Sequence, residues 1–206
     1  MSILRKFLVT PRCIGCSAVG ISLCPLCTST INPVHMPQFA SFALHVDEIM
    51  GAGPYDGWLR QSIIDYKNGQ REKLEGLGQL LNALLAQRAP VLVVPIPSSY
   101  AKVQLRGFDT VADLAREATA GTSHSLGIDV LQFTREVTDQ VGLSQRQRRL
   151  NLINAMRCNR LVPPVVCVID DVITTGATMS AAAVALRRAG AQRVFALSLC
   201  VAAKSG

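Results

Sequence analysis

The sequence predicts an α/β protein, a mainly parallel sheet flanked by helices with a small four-cysteine module in front of it. Three observations predict this. Strand-like and helix-like segments alternate through residues 91–201, the pattern of parallel strands joined by crossover helices. Val165, Val166, Val168 and Ile169 are apolar without alternation, as in a strand covered on both faces. Four of the 7 cysteines fall between Cys13 and Cys27, in a segment too short to build a core of its own.

The elements follow in order. Residues 1–32 are rich in Cys, Gly, Pro and Ser and lack helical periodicity. A linker at Pro33–Pro37 separates them from a packed domain expected over residues 39–206. Phe39–Tyr55 reads as short strands around the turn signal GAGP. Asp56–Lys67 has helical spacing, with Trp58, Ile63, Ile64 and Tyr66 as apolar contacts. Glu72–Gln87 carries Leu74, Leu77, Leu80, Leu81, Leu84 and Leu85 on one helical stripe. The run VLVVP from Val91 is of strand length. Thr110–Ala120 reads as a helix and Ile128–Phe133 as a strand. Ser144–Leu150 is expected as a short helix with Ser144 as N-cap. Val165–Asp170 is a buried strand; each such side chain gives about 1.5–3 kcal/mol on burial. Ala177–Ala189 is a helix closed by Gly190 as its C′ residue, and Arg193–Val201 is the last strand.

With 206 residues, 49% hydrophobic and 17% charged, the chain has the composition of a globular domain plus a small appendage. No apolar run reaches the roughly 18 residues of a membrane helix, and no signal-peptide pattern follows Arg5 and Lys6. No membrane insertion and a cytoplasmic location are therefore expected. The net charge is +7. Residues 1–46 hold Arg5, Lys6 and Arg12 and no acid, and residues 135–160 hold six arginines against Glu136 and Asp139. Such local excess suits phosphates or nucleic acid, or a solvated basic surface. Cys158, Cys167 and Cys200 lie among apolar residues and read as small buried hydrophobes.

The chemistry concentrates after the strand that begins at Val165, in Asp170-Asp171-Val172-Ile173-Thr174-Thr175-Gly176-Ala177-Thr178. Ligands of open α/β sheets bind beyond the carboxyl ends of the strands. A helix N-terminus there offers unpaired N–H groups and a positive dipole end, which suit a phosphate. Gly176 allows close backbone approach, and the threonines add hydroxyls. Two adjacent carboxylates at a strand end need compensation. Hydrogen bonds to sugar hydroxyls, or a place near Mg²⁺, would supply it. The loop is neither a GK[ST] P-loop nor GxGxxG.

Cys13-x2-Cys16 and Cys24-x2-Cys27 form two knuckles seven residues apart. Two such pairs complete a tetrahedral thiolate site, so a structural Zn²⁺ is expected, with no open coordination position. Gln140, Arg146, Arg148, Arg149 and Asn151 are candidate contacts for nucleic acid or a nucleotide, since arginine planes suit phosphates and bases.

VVCVIDDVITTGATM, from Val165 to Met179, resembles the 5-phosphoribosyl diphosphate (PRPP) signature of type I phosphoribosyltransferases. The whole chain resembles the ComF family of competence-related proteins. The four-cysteine module, YKNG at Tyr66–Gly69, PIP at Pro95–Pro97, RGF at Arg106–Phe108, TDQVGL at Thr138–Leu143, RRLN at Arg148–Asn151 and the signature occur in family order. The resemblance implies a type I phosphoribosyltransferase-like fold, with Asp170 and Asp171 on the ribose hydroxyls. Thr174, Thr175, Gly176, Ala177 and Thr178 would hold the 5′-phosphate, and Pro95, Ile96, Pro97, Ser98 and Ser99 the pyrophosphate. Arg106 would be a cation for the diphosphate, and Mg²⁺ would accompany PRPP. Asp109 and Thr110 stand where the family commonly has Asn-Gln.

Two functions are compatible with these residues. One is an enzyme that transfers the phosphoribosyl group from PRPP, with Asp170, Asp171 and Arg106 in the catalytic set and an acceptor that the sequence does not name. The other is a non-catalytic protein that binds PRPP, another phosphoribosyl compound or single-stranded DNA. It would act in DNA uptake or processing beside competence or DNA-processing proteins.

Overall fold

The computed structural model describes residues 10–35, 45–134 and 155–202. Among these, a six-stranded sheet has the order β1-β2-β8-β7-β3-β4. Its strands are β1 (Val34–His35), β2 (Glu48–Pro54), β3 (Leu92–Pro95), β4 (Ser125–Leu126), β7 (Val165–Ile173) and β8 (Arg193–Val201). β1 is antiparallel to β2; every other pairing is parallel. β5 (Leu131–Phe133) and β6 (Met156–Cys158) form a separate antiparallel pair. The predicted fold class is therefore observed.

The helices are α1 (Pro25–Ser29), α2 (Gly57–Lys67), α3 (Lys73–Leu85), α4 (Tyr100–Arg106), α5 (Thr110–Thr119) and α6 (Ala177–Arg188). The sheet divides two apolar cores. On one face Leu59 and Ile63 of α2, Leu77 and Leu81 of α3 and Leu114 of α5 pack with Val93, Cys167, Ile169 and Leu197. On the other, Met179, Ala182 and Leu186 of α6 pack with Val94, Val166, Val168 and Ala196, joined by Leu131 and Met156. Alternate residues of β7 thus serve opposite cores, as the pleat requires.

The cysteine segment shares the first core. Cys13, Ile14, Leu23 and Cys27 pack with the residues of α2 and α3. Ser62 Oγ donates to the Ile14 carbonyl at 2.8 Å and Ser22 Oγ to Glu75 Oε2 at 2.7 Å. Gly76 permits this close docking: a Cβ there would lie 2.5 Å from the Ser22 carbonyl oxygen and 2.7 Å from Ile14 Cγ2. Alanine favours a helix interior by about 1 kcal/mol over glycine. Here we expect Gly76→Ala to destabilise instead, by about 1–3 kcal/mol of overpacking; a urea midpoint shifted to higher concentration would contradict that.

Three expectations are corrected. GAGP is not a turn between short strands; Gly51, Ala52 and Gly53 lie within β2. Beside β8, a Cβ at Gly51 would fall 2.8 Å from Val201 Cγ2 and 3.0 Å from its nitrogen, so glycine there reports close approach rather than a bend. The strand expected at Ile128–Phe133 shortens to β5 and leaves the main sheet to pair with β6. β7 runs on through Asp170 and Asp171 to Ile173, because β8 accompanies it as far as Val201. Asp171, Val172 and Ile173 therefore belong to the strand, which the sequence predicts to end at Asp170. The helix expected at Ser144–Leu150 lies outside the described residues.

Candidate functional site

Strands β3 and β7 are parallel neighbours; β3 ends at Pro95, opposite Ile169, and β7 runs on from there to Ile173. The Ile96 N–H donates to the Ile169 carbonyl at 2.9 Å. The chain leaves β3 towards α5 and β4 on one side and leaves β7 towards α6 and β8 on the other. Such a divergence of neighbouring parallel strands opens a crevice at their carboxyl ends. The structure brings Pro95–Ser99 and Asp170–Thr178 to that crevice from separate parts of the chain.

One side of the crevice is built by the start of α6. Gly176, its N-cap, has φ 73°, in the left-handed region, and no side chain caps the helix there. The Thr175 hydroxyl accepts from the Ala177 N–H at 3.4 Å. Ala177 and Thr178 open the helix, Thr174 is exposed, and Thr175 and Thr178 are half-buried. The first turn thus offers backbone N–H groups and hydroxyls at a positive dipole end.

The two carboxylates differ. By strand alternation Asp170 belongs to the α6 face and Asp171 to the α2 face. Burial, then the charge of Asp171, pushes the Asp170 carboxyl up to about 8; the Asp171 N–H, Lys67 and Lys102 pull the other way. That N–H reaches Asp170 Oδ1 at 2.8 Å. A carboxyl that keeps its proton near neutral pH donates as well as accepts, which suits sugar hydroxyls. Asp171 is ion-paired: Lys67 Nζ stands 2.7 Å from its Oδ2.

Lys67 lies within YKNG, a motif that by itself assigns it no role. Its neighbours explain its position. Tyr66 is buried at the C-terminal turn of α2, its ring 5.4 Å from that of Phe108, and Gly69 turns the chain with φ 101°. Arg71 stacks 4.1 Å from the Phe108 ring and pairs with Asp113 at 2.7 Å. The same contacts fasten the segment after Arg106. Asp109 accepts from the Val111 and Ala112 N–H groups and from Ser98 Oγ at 2.7 Å. It therefore caps α5 and ties α5 to the Pro95–Ser99 turn; Thr110 beside it is buried. These two residues do structural work here, which answers the departure from Asn-Gln. Arg106 ends α4, half-buried, before Gly107 with φ 77°.

For magnesium the protein's own donors fit only in part. Lys67 occupies Asp171 Oδ2 and a backbone N–H engages Asp170 Oδ1. Among the described residues the cluster of three or more metal-ligating side chains is that of Cys13, Cys16, Cys24 and Cys27. Their Sγ atoms all lie within 4.8 Å of one another, so they could hold a metal ion. The Cys24 N–H points to Cys13 Sγ at 3.3 Å and the Cys27 N–H to Cys24 Sγ at 3.4 Å. Burial opposes ionisation of Cys13, but backbone N–H groups of Cys16, Cys24 and Gly15 outweigh it and bring the thiol down to about 6. Burial and the crowding of Cys24, Cys13 and Cys16 push Cys27 up. Four sulfurs gathered this closely fit a cation at their centre.

Gln140, Arg146, Arg148, Arg149 and Asn151 lie outside the described residues. His124 is structural: Nδ1 accepts from the Val91 N–H at 3.2 Å, leaving Nε2 to donate to the Leu85 carbonyl at 3.1 Å. Cys167 and Cys200 are fully buried, as expected, and Cys158 partly so. Among the described residues no helix is long and apolar enough to cross a membrane.

No protein-family profile matches the chain. It is 26% identical over 111 residues to competence protein F of Haemophilus influenzae, covering 52% of this chain and 48% of that protein. It is 32% identical over 130 residues to DNA utilization protein YhgH of Escherichia coli, covering 59% of this chain and 56% of that protein. The chain thus spans about half the length of the curated relatives it matches. A solved structure described as the allosteric regulatory enzyme of purine biosynthesis superposes with a TM-score of 0.42 at 21% identity, covering 66% of this chain and 30% of that one. These two curated relatives show the similarity of this chain to the competence-related ComF family.

Proposed function

We propose that the crevice between β3 and β7 binds the phosphoribosyl group of PRPP and that the chain transfers it to an acceptor. The observation that carries this reading is the meeting of two chain segments at one crevice: the Pro95–Ser99 turn, and the carboxylates with the N-terminus of α6. Asp170 and Asp171 take the ribose hydroxyls. Thr174, Thr175, Gly176, Ala177 and Thr178 take the 5′-phosphate through backbone N–H groups and hydroxyls. Pro95, Ile96, Pro97, Ser98 and Ser99 face the pyrophosphate, and Arg106 supplies it with a cation. Positioning and electrostatic stabilisation of the departing pyrophosphate would do most of the catalytic work. Magnesium, brought in with the diphosphate, would neutralise part of that leaving-group charge.

The four cysteines are assigned to a structural zinc within a module at residues 1–32, ahead of a phosphoribosyltransferase-like domain over residues 39–206. Calorimetric titration of Mg²⁺–PRPP into folded, zinc-replete protein tests the pocket. We expect binding by the wild type and a loss of about tenfold in Asp171→Asn, the scale of one charge-assisted hydrogen bond. A wild type that takes up no PRPP would sink the assignment.

A second reading is favoured by the names of the two relatives, which speak of competence and DNA utilization. In it the pocket recognises a phosphoribosyl group without transfer, single-stranded DNA is the partner, and the work is DNA uptake. Pyrophosphate release from PRPP across a panel of acceptors separates the two. No release, with single-stranded DNA retained, selects the binding protein.

A further inference from the structure

We infer that Lys67 is a built-in counter-ion of this pocket, which lets it hold the ribose 5-phosphate half of a ligand without a divalent cation. The inference rests on the phosphoribosyl reading above and adds a residue and a binding mode to it.

Two adjacent carboxylates line a crevice meant for an anion. Left alone, the charge of Asp171 would repel a phosphate, and the usual remedy is a divalent cation. Here the protein supplies a cation of its own. Lys67 Nζ is 2.7 Å from Asp171 Oδ2, and the two side chains are only 26% and 13% exposed. Partial shielding from water makes such a pair stronger than an open surface one. A hard metal ion seeking carboxylate oxygens meets an oxygen already taken by the ammonium, and a neighbour, Asp170 Oδ1, already bonded to an N–H.

The ammonium is held in place by the fold. Lys67 is the last residue of α2, where the helix dipole also favours a cation. The preceding Tyr66 is buried against Phe108, and the Asn68-Gly69 turn redirects the chain directly afterwards. The backbone that carries Lys67 is therefore fixed at the base of its side chain. Asp171 stands on the face of β7 from which α2 approaches, so the pairing follows from the strand's alternation and the helix's position together.

Titration calorimetry with ribose 5-phosphate as the probe, on the full chain, tests the inference. The buffer is freed of divalent ions by chelating resin before the protein is added, so that the cysteine cluster keeps its metal. The expected result is that the wild type binds equally well with and without millimolar MgCl₂. Lys67→Met should bind about tenfold or more weakly without Mg²⁺, as befits loss of a charged partner, and recover in part when Mg²⁺ is added. Lys67→Arg, which keeps the charge, should stay close to the wild type. Wild-type binding that requires Mg²⁺ overturns the inference while leaving the pocket standing. So does Lys67→Met binding like the wild type in Mg²⁺-free buffer. Should the wild type bind ribose 5-phosphate under neither condition, the phosphoribosyl reading itself falls. Wild-type Mg²⁺ dependence decides the matter even if Lys67→Met fails to fold.

Discussion

Removing zinc from the four-cysteine cluster is expected to lower the melting temperature by about 10 °C or more, and to do so for the domain as a whole. Structural zinc sites contribute on the order of 10 kcal/mol to the folding of their own segments. In a chain of this size about 1 kcal/mol moves the melting point by roughly 2–4 °C. The effect should spread because Cys13 and Cys27 lie in the same core as Ile63 and Leu77. Ile14 and Ser22 are tied to α2 and α3 by the Ser62 and Glu75 hydrogen bonds. Cys13→Ser should act like chelation, since its Sγ receives the Cys24 N–H and belongs to the cluster. Scanning calorimetry with zinc analysis of each sample checks this. Native protein that contains no metal, or that melts unchanged after its zinc is stripped, would refute it.

Replacing Gly176 by valine is expected to abolish phosphoribosyl binding, with a loss of about a hundredfold or more. Gly176 has φ 73° immediately before α6. A β-branched residue is an outlier in that region, at about 1–2 kcal/mol of strain. Relief of the strain would turn the first N–H groups of α6 away from the phosphate, and each hydrogen bond to a charged group is worth about 1.5–3 kcal/mol. Losing one or two of them accounts for the expected factor. Titration with Mg²⁺–PRPP, beside a thermal melt to show that the domain is folded, measures it. Binding within a few-fold of the wild type would mean that the phosphate does not use this helix end.

Much of this was legible in the chain itself. Apolar continuity at Val165–Ile169 named a central strand, and leucine spacing over Glu72–Gln87 named the helix that is observed as α3. Paired CxxC knuckles at fixed spacing named four residues whose sulfurs the fold brings together. Each of these signals is local: it depends on periodicity or spacing within a few turns of chain. The strand limits were harder to read. Gly51 and Gly53 look like turn residues, yet they lie within β2, Gly51 where β8 crowds it and Gly53 where Leu59 of α2 does. The strand reads as ending at Asp170, yet the pairing with β8 carries it on to Ile173.

The candidate site divides in the same way. Sequence alone determined the turn proposed to take the phosphate, because its glycine, hydroxyls and helix start are contiguous in the chain. Tertiary structure alone decided what stands opposite: the Pro95–Ser99 turn leaving β3 beside Ile169 of β7, Asp109 tying that turn to α5, and Lys67 on Asp171. Those partners are far apart along the chain. Nothing in their local composition records that a buried Tyr66 and a turn at Gly69 would deliver an ammonium to one carboxylate and leave the other to the opposite face.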